Sequence, residues 1–174
     1  KIEPVEFLQA ISLLHTKEVR EAAIADGKEP PAISATRNSL LQVPLSAYQK
    51  FAPKVEAGYI AAAKFLHSLK IFKARDLPYQ TQLVPLAAIL AELGNTWEND
   101  AVRQKLAQWY WCGVLGELYG SAVESRFALD IRDFKTWVTG GAEPQTVQRA
   151  SFEERRLRTL RSRLSAAYKG VHAL

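Results

Sequence analysis

No methionine occurs among the 174 residues, and Lys1 to Phe7 run almost directly into an amphipathic pattern. A native start is missing, so the chain is expected to be part of a longer protein whose whole function exceeds that of this piece. Cysteine is nearly absent too. Cys112 stands alone, which excludes an intrachain disulfide and a thiolate-held zinc and fits a reducing, cytoplasmic compartment. The three histidines, His15, His67 and His172, lie far apart and none has an H-E-x-x-H or paired-ligand spacing, so no metal site is expected. His15 falls on an apolar stripe and reads as a partly buried core residue. Gly140 and Gly141 lack the lysine and strand context of a phosphate loop, and no cofactor is expected. There is no signal-peptide core, no Arg-rich leader and no apolar run of the roughly 18 residues that a membrane span requires. A soluble domain without membrane contact follows.

What is present is apolar content and helix signals. Hydrophobic residues make up 48% of the chain, enough for a domain of this length to bury roughly 70% of its unfolded surface. The expectation is one domain, residues 1–174. The net charge of +5 is gathered in one place. From Arg149 to Lys169 seven basic residues face two glutamates, and the rest of the chain carries sixteen charges of each sign.

Pro4 suits a first helical position, and Leu8, Ile11, His15, Val19 and Ala22 follow at helical spacing until Gly27. Residues 26–38, with Gly27, Pro30 and Pro31, read as an irregular connection. Ser46 and Gln49 form a capping-box pair, and Pro53 reads as the start of a second helical piece with Val55, Tyr59, Ala62, Ala63 and Leu66 on one stripe. Leu83, Leu86, Leu90 and Leu93 are in register before Gly94, with Pro85 in the first turn. From Asn99 to Tyr119, Leu106, Trp109, Tyr110, Trp111, Val114, Leu115 and Leu118 cover nearly the full circumference, so this helix is predicted to be the aromatic-rich centre. Gly113, Gly116 and Gly120 suggest closely approaching backbones there. Ser121 with Glu124 opens a helix through Phe127, Ile131, Phe134 and Val138. Ser151 with Glu154 opens a last one carrying Leu157, Leu160, Leu164, Tyr168 and Val171, with arginines on the opposite arc. The fold class is all-α: a single multi-helix domain of six to nine helices with no sheet beyond a short hairpin in the early loop.

The constellations are spare in chemistry. Glu117 and Glu124 flank a turn where an acid/base pair is conceivable, but a glutamate there is more simply the partner of an arginine such as Arg126, and no nucleophile has an adjacent base. No catalytic residue is assigned. The polar arc of the last helix is different, because guanidinium groups bind phosphate bidentately and release counterions from nucleic acid. Arg155, Arg156, Arg158, Arg161, Arg163 and Lys169 are the candidate nucleic-acid contacts; a solvated or protein-docked face is the alternative.

Three strings, KARDLPYQTQLVPLAAIL (Lys73 to Leu90), WYWCGVLGELYGSAVESRFALD (Trp109 to Asp130) and LRTLRSRLSAAYKGVHAL (Leu157 to Leu174), resemble the helical region of a bacterial family of uncharacterised proteins. That family is related to the GmrSD-type, modification-dependent (type IV) restriction endonucleases, and the resemblance runs from about Phe7 to Leu174. In the family a ParB-like domain with a D-G-Q-Q-R type motif precedes the helices and an HNH-type nuclease motif often follows them. Neither motif is in this sequence, so no nuclease or nucleotide-hydrolysing residue carries over. The matching positions are Arg75, Asp76, Pro78 and Tyr79, then Glu117, Tyr119, Gly120, Ser121, Glu124 and Arg126, then Arg161, Arg163, Ser165, Tyr168 and Lys169. Leu164 stands where the resemblance leads one to expect a polar residue, Asn. The resemblance implies a non-enzymatic DNA-contacting and interdomain-coupling module of a restriction-like, phage-defence protein, whose partners are DNA and missing domains of the same chain. A structural or protein-interaction module without DNA contact is the alternative.

Overall fold

The computed structural model describes residues 2–121, 123–152, 154–160, 162–163 and 165–173. The described residues contain nine α-helices and no strand: α1 (Pro4–Ala25), α2 (Arg37–Leu41), α3 (Leu45–Ser68), α4 (Leu83–Leu93), α5 (Asp100–Leu115), α6 (Val123–Val138), α7 (Gln145–Gln148), α8 (Glu154–Thr159) and α9 (Ala166–Ala173). Two 3-10 turns, Ala74–Asp76 and Gly94–Glu98, precede α4 and α5. No helix among the described residues is long and apolar enough to cross a membrane.

The centre of the bundle is α4, where the sequence pointed to the Trp109–Leu118 stretch. Val84 to Leu90 are buried without interruption, and α1, α3 and α6 all pack on α4. Its small residues explain this. Gly58 of α3 lies so close to α4 that a Cβ there would sit 2.2 Å from the Ala87 carbonyl oxygen, so the two backbones meet nearly in contact. The bulky residues of α5 instead need room at the side. Trp109, Tyr110 and Val114 are buried, whereas Trp111, Cys112 and Leu115 are only partly so, and α5 packs against α7, α9 and the turn before it. The aromatic cluster is shared among helices: Phe65 and Tyr110 meet edge to face at 6.1 Å, and Trp109 meets Phe134 at 6.0 Å.

Local signals place most ends. Pro4 is in the first turn of α1, behind a capping box of Glu3 and Glu6. Asn99 caps α5 by accepting from the Ala101 N–H at 2.9 Å. Gly94 follows α4 with φ 53°. Of the three glycines expected to mark close backbones, Gly113 is crowded by side chains, with a hypothetical Cβ 2.5 Å from Gln82 Nε2 and 2.8 Å from the Tyr119 ring. Gly116 does lie close to backbone, with a Cβ 2.7 Å from the Cys112 carbonyl oxygen and 3.3 Å from Ala150 Cα, and Gly120 has ordinary space around it.

Three expectations shift. Pro53 does not divide the second segment, because α3 runs through it from Leu45 to Ser68. Pro53 and Gln49, whose carbonyl loses its i+4 donor, both face solvent, and buried Phe51, Val55, Tyr59, Ala62 and Phe65 hold the helix on both sides of the proline. The buried face of α1 is Ala10, Ile11, Leu13, Leu14 and Lys17, with Val19 and Ala22 exposed. Lys17 turns inward because Glu92 of α4 meets its ammonium there and Glu21 adds a contact at 2.7 Å. Burial pulls the Lys17 pKa down, but the two carboxylates outweigh it and leave it above the ordinary lysine value.

The C-terminal basic helix is also not continuous. It is divided into α8 and α9. Ser165 Oγ donates to the Ser162 carbonyl at 3.0 Å and accepts from the Tyr168 N–H at 3.3 Å, so a local serine bond replaces the helical ladder and starts α9 afresh. Buried Ala166, Ala167 and Gly170 then seat α9, and α9 packs on α5. Arg161 and Leu164 lie outside the described residues.

Candidate functional site

The segments singled out by sequence are far apart in the chain, and the fold brings parts of all three to one end. The Ala74–Asp76 turn and the following Leu77 to Tyr79 approach α9, while Tyr79 lies against the turn between α5 and α6. Thr81 Oγ1 donates to the Tyr119 carbonyl at 3.1 Å, and the Tyr79 and Tyr119 rings lie 6.4 Å apart. These contacts make two adjoining polar groups.

In the first group, Arg156 Nη2 donates to Glu117 Oε1 at 2.7 Å. Tyr79 lies within their field: burial and Glu117 push its phenol up, and Arg156 pulls it back. Glu117 holds a left-handed backbone, φ 53°, because the Leu118 N–H bonds back to the Gly113 carbonyl at 3.0 Å and closes α5 tightly. A side chain in that region costs about 1 kcal/mol.

The second group is a hollow of about 350 Å³ lined by Lys70, Ile71, Arg75, Asp76, Arg163, Tyr168, Lys169, His172 and Ala173. Among the described residues, its lining holds four lysines and arginines against one acidic residue. Lys70 lies two residues past α3, Arg75 comes from the 3-10 turn, Arg163 precedes α9, and Lys169 is on α9. Lys169 Nζ donates to the Leu77 carbonyl at 3.0 Å, which holds α9 against the 3-10 segment. Arg75 Nε is 3.7 Å from Asp76 Oδ1, with both side chains largely exposed. The Tyr168 and His172 rings, one helical turn apart, are 4.3 Å apart. Lys70 has φ 63°, the conformation usually given to glycine after a helix, and its segment bonds back from Ile71 N to the Leu66 carbonyl at 3.0 Å. Lys70 and Glu117 are the two non-glycine residues with positive φ among the described residues, and each stands in one of these groups.

The remaining candidates are placed as follows. Arg155 and Arg158 are exposed on α8, as is Arg156. Glu124 is exposed in the first turn of α6, and no contact described here joins it to either polar group. Arg126 turns the other way, its Nη1 donating to Thr146 Oγ1 at 3.4 Å. Glu117 and Arg126 therefore do not pair. Arg126 serves a buried cluster around Asp130, which accepts from the Tyr119 hydroxyl and, at 2.6 Å, from Thr146 Oγ1. Burial lifts the Asp130 pKa to about 6, against the hydrogen bonds from Thr146 and Tyr119 and the charge of Arg126. The Trp109 indole N–H also pulls on the same carboxylate, more than Arg126 does, without reaching hydrogen-bond geometry.

Asp130, Thr146 and Lys70 were missed as site residues. Asp130 did carry a signal: a carboxylate three residues after Phe127 and four before Phe134, on the apolar stripe of α6. Among the described residues no group of three or more histidine, cysteine or acidic residues is arranged to hold a metal. Burial and, less, Glu143 push the half-buried Cys112 thiol up, away from nucleophilic use. No family model, curated protein or solved structure matches this chain.

Proposed function

We propose that this domain contacts DNA phosphates through its cationic end, as the coupling module of a restriction-like, phage-defence protein of bacterial, cytoplasmic origin. The observation that carries this reading is convergence: Lys70, Arg75, Arg163 and Lys169 reach one hollow from separate chain segments, and Arg155, Arg156 and Arg158 of α8 are exposed as well. Charge gathered this way raises the local concentration of anions and steers them to the surface. The resemblance in sequence supports the restriction-like part of the reading, with catalysis supplied by other domains and none by this one.

A second reading, an interdomain or protein-docking module without DNA contact, is favoured by a specific observation. Arg156 is held by Glu117, and Lys169 by the Leu77 carbonyl, so at least two of the six predicted contacts already have work inside the domain.

A salt titration of duplex DNA binding separates the two. With about four phosphates neutralised, log affinity falls with log salt at a slope of about −3.6. Replacing Arg155 and Arg158 together by Ala flattens the slope by roughly two contacts. Absence of binding at low salt overturns the DNA reading and leaves the docking module.

A further inference from the structure

We infer that the hollow between the end of α3 and α9 is a binding site for a terminal phosphate group, the dianionic kind carried by a nucleoside monophosphate or a 5′-phosphorylated end. This draws on the same cations as the DNA reading but names a different ligand for them, and the titrations below tell the two apart.

The argument begins with charge. Lys70, Arg75, Arg163 and Lys169 line one concavity in which Asp76 is the one acidic side chain among the described residues. Like charges brought together repel unless an anion joins them. Asp76 is spent in part on Arg75, 3.7 Å away at the rim. Lys169 gives one of its three ammonium protons to the Leu77 carbonyl, which fixes the group and leaves two donors for a ligand. A terminal phosphate carries nearly two charges and three acceptor oxygens, matching cations that arrive from α3, the 3-10 turn and α9. A backbone phosphodiester offers one charge and must leave the hollow in two directions.

Size and lining favour a nucleotide. About 350 Å³ lies at the lower end of small-ligand sites. The Tyr168 ring on α9, with the His172 ring tilted 47° against it, supplies an aromatic face beside the cations, on which a base can stack. The left-handed backbone at Lys70 adds a further point. Glycine would suit that position better for stability, yet a lysine stands there with its side chain on the hollow.

The same backbone feature supplies a clean test. Calorimetric titration of the whole 174-residue chain with inorganic phosphate, dAMP, a 5′-phosphorylated dinucleotide and its 5′-hydroxyl counterpart reads the site directly. Saturable millimolar or tighter binding of the phosphorylated ligands is expected, with the 5′-hydroxyl dinucleotide at least tenfold weaker. Lys70→Gly removes a cation while relieving the backbone, so it folds at least as well as the native chain and weakens binding about tenfold or more, the usual worth of a charged hydrogen bond. Arg163→Ala acts in the same direction. Lys50→Ala, about 30 Å away along α3 by helical rise, leaves affinity within twofold. Tighter binding of dAMP than of inorganic phosphate identifies a nucleotide as the source, and equal binding identifies free phosphate. Equal affinity for the two dinucleotides, equal effects of Lys70→Gly and Lys50→Ala, or no binding at millimolar concentration overturns the assignment. Terminal phosphate bound without any salt-dependent duplex binding overturns the DNA reading alone; duplex binding that survives Lys70→Gly, with no terminal-phosphate preference, overturns this inference alone.

Discussion

The hydroxyl of Tyr119 donates to the carboxylate of Asp130, both wholly buried, and ties the turn after α5 to the middle of α6. Thr146 of α7 donates to the other carboxylate oxygen. Three consecutive elements, the turn after α5, α6 and α7, thus share one acidic group. The polar end is built on this tie, since Tyr119 also touches Tyr79 and its carbonyl accepts from Thr81.

Stability should therefore depend on pH through Asp130. Its folded pKa of about 6 lies above its ordinary value of 3.8, so the folded state binds the extra proton between those values. The resulting stabilisation is fully present below about pH 4 and is lost as pH rises through 6. The expected difference is about 3 kcal/mol, from 1.36 kcal/mol per pKa unit. Denaturant unfolding at pH 4, 5, 6 and 7 measures it. Asp130→Asn shifts the baseline but should remove this part of the pH slope; an unchanged slope rules out Asp130 as its source.

Lys70→Gly should raise stability by about 1 kcal/mol, the cost of a side chain at positive φ. Lys70 is exposed, so little packing is lost. A thermal midpoint that rises by several degrees checks this, and a fall shows that the lysine side chain supports the fold.

Gly58→Ala should lose about 3 kcal/mol or more, at the upper end for overpacking. The new methyl meets the Ala87 carbonyl oxygen, a backbone atom that cannot swing aside, and Ala91 is also in reach at 3.0 Å. Equilibrium unfolding gives the number. A loss under 1 kcal/mol would mean that α3 and α4 slide apart easily.

The buried Lys17 offers an asymmetric pair of substitutions. Glu92→Ala leaves its ammonium with only the more exposed Glu21 nearby, and about 2 kcal/mol should be lost. Lys17→Met removes the buried charge itself, and Glu92 keeps Lys135 at 3.5 Å, so its effect should be much smaller. Equal losses would show that the ion pair itself stabilises the fold.

Much was legible from residue order because it depends on neighbours in the chain. Pro4, Asn99 and Gly94 mark helix ends through backbone groups within a few residues, and Leu83, Leu86 and Leu90 repeat at a period that the helix itself sets. The grouping of arginines after Arg149 was equally plain. None of this needs a partner helix.

Tertiary structure decided which helix is central, which face of α1 is inside, and where the cations meet. Small side chains let α4 approach three neighbours, an outcome that the bulk of Trp109 and Tyr110 conceals in one dimension. The partners that let Lys17 and Asp130 be buried, Glu92 for one and Tyr119 with Thr146 for the other, come from other elements and are set only by packing. Residue order fixed the period and ends of the helices because those bonds are local. The fold alone set Lys70 beside Arg163 and Lys169, because that juxtaposition arises from packing between segments nearly a hundred residues apart.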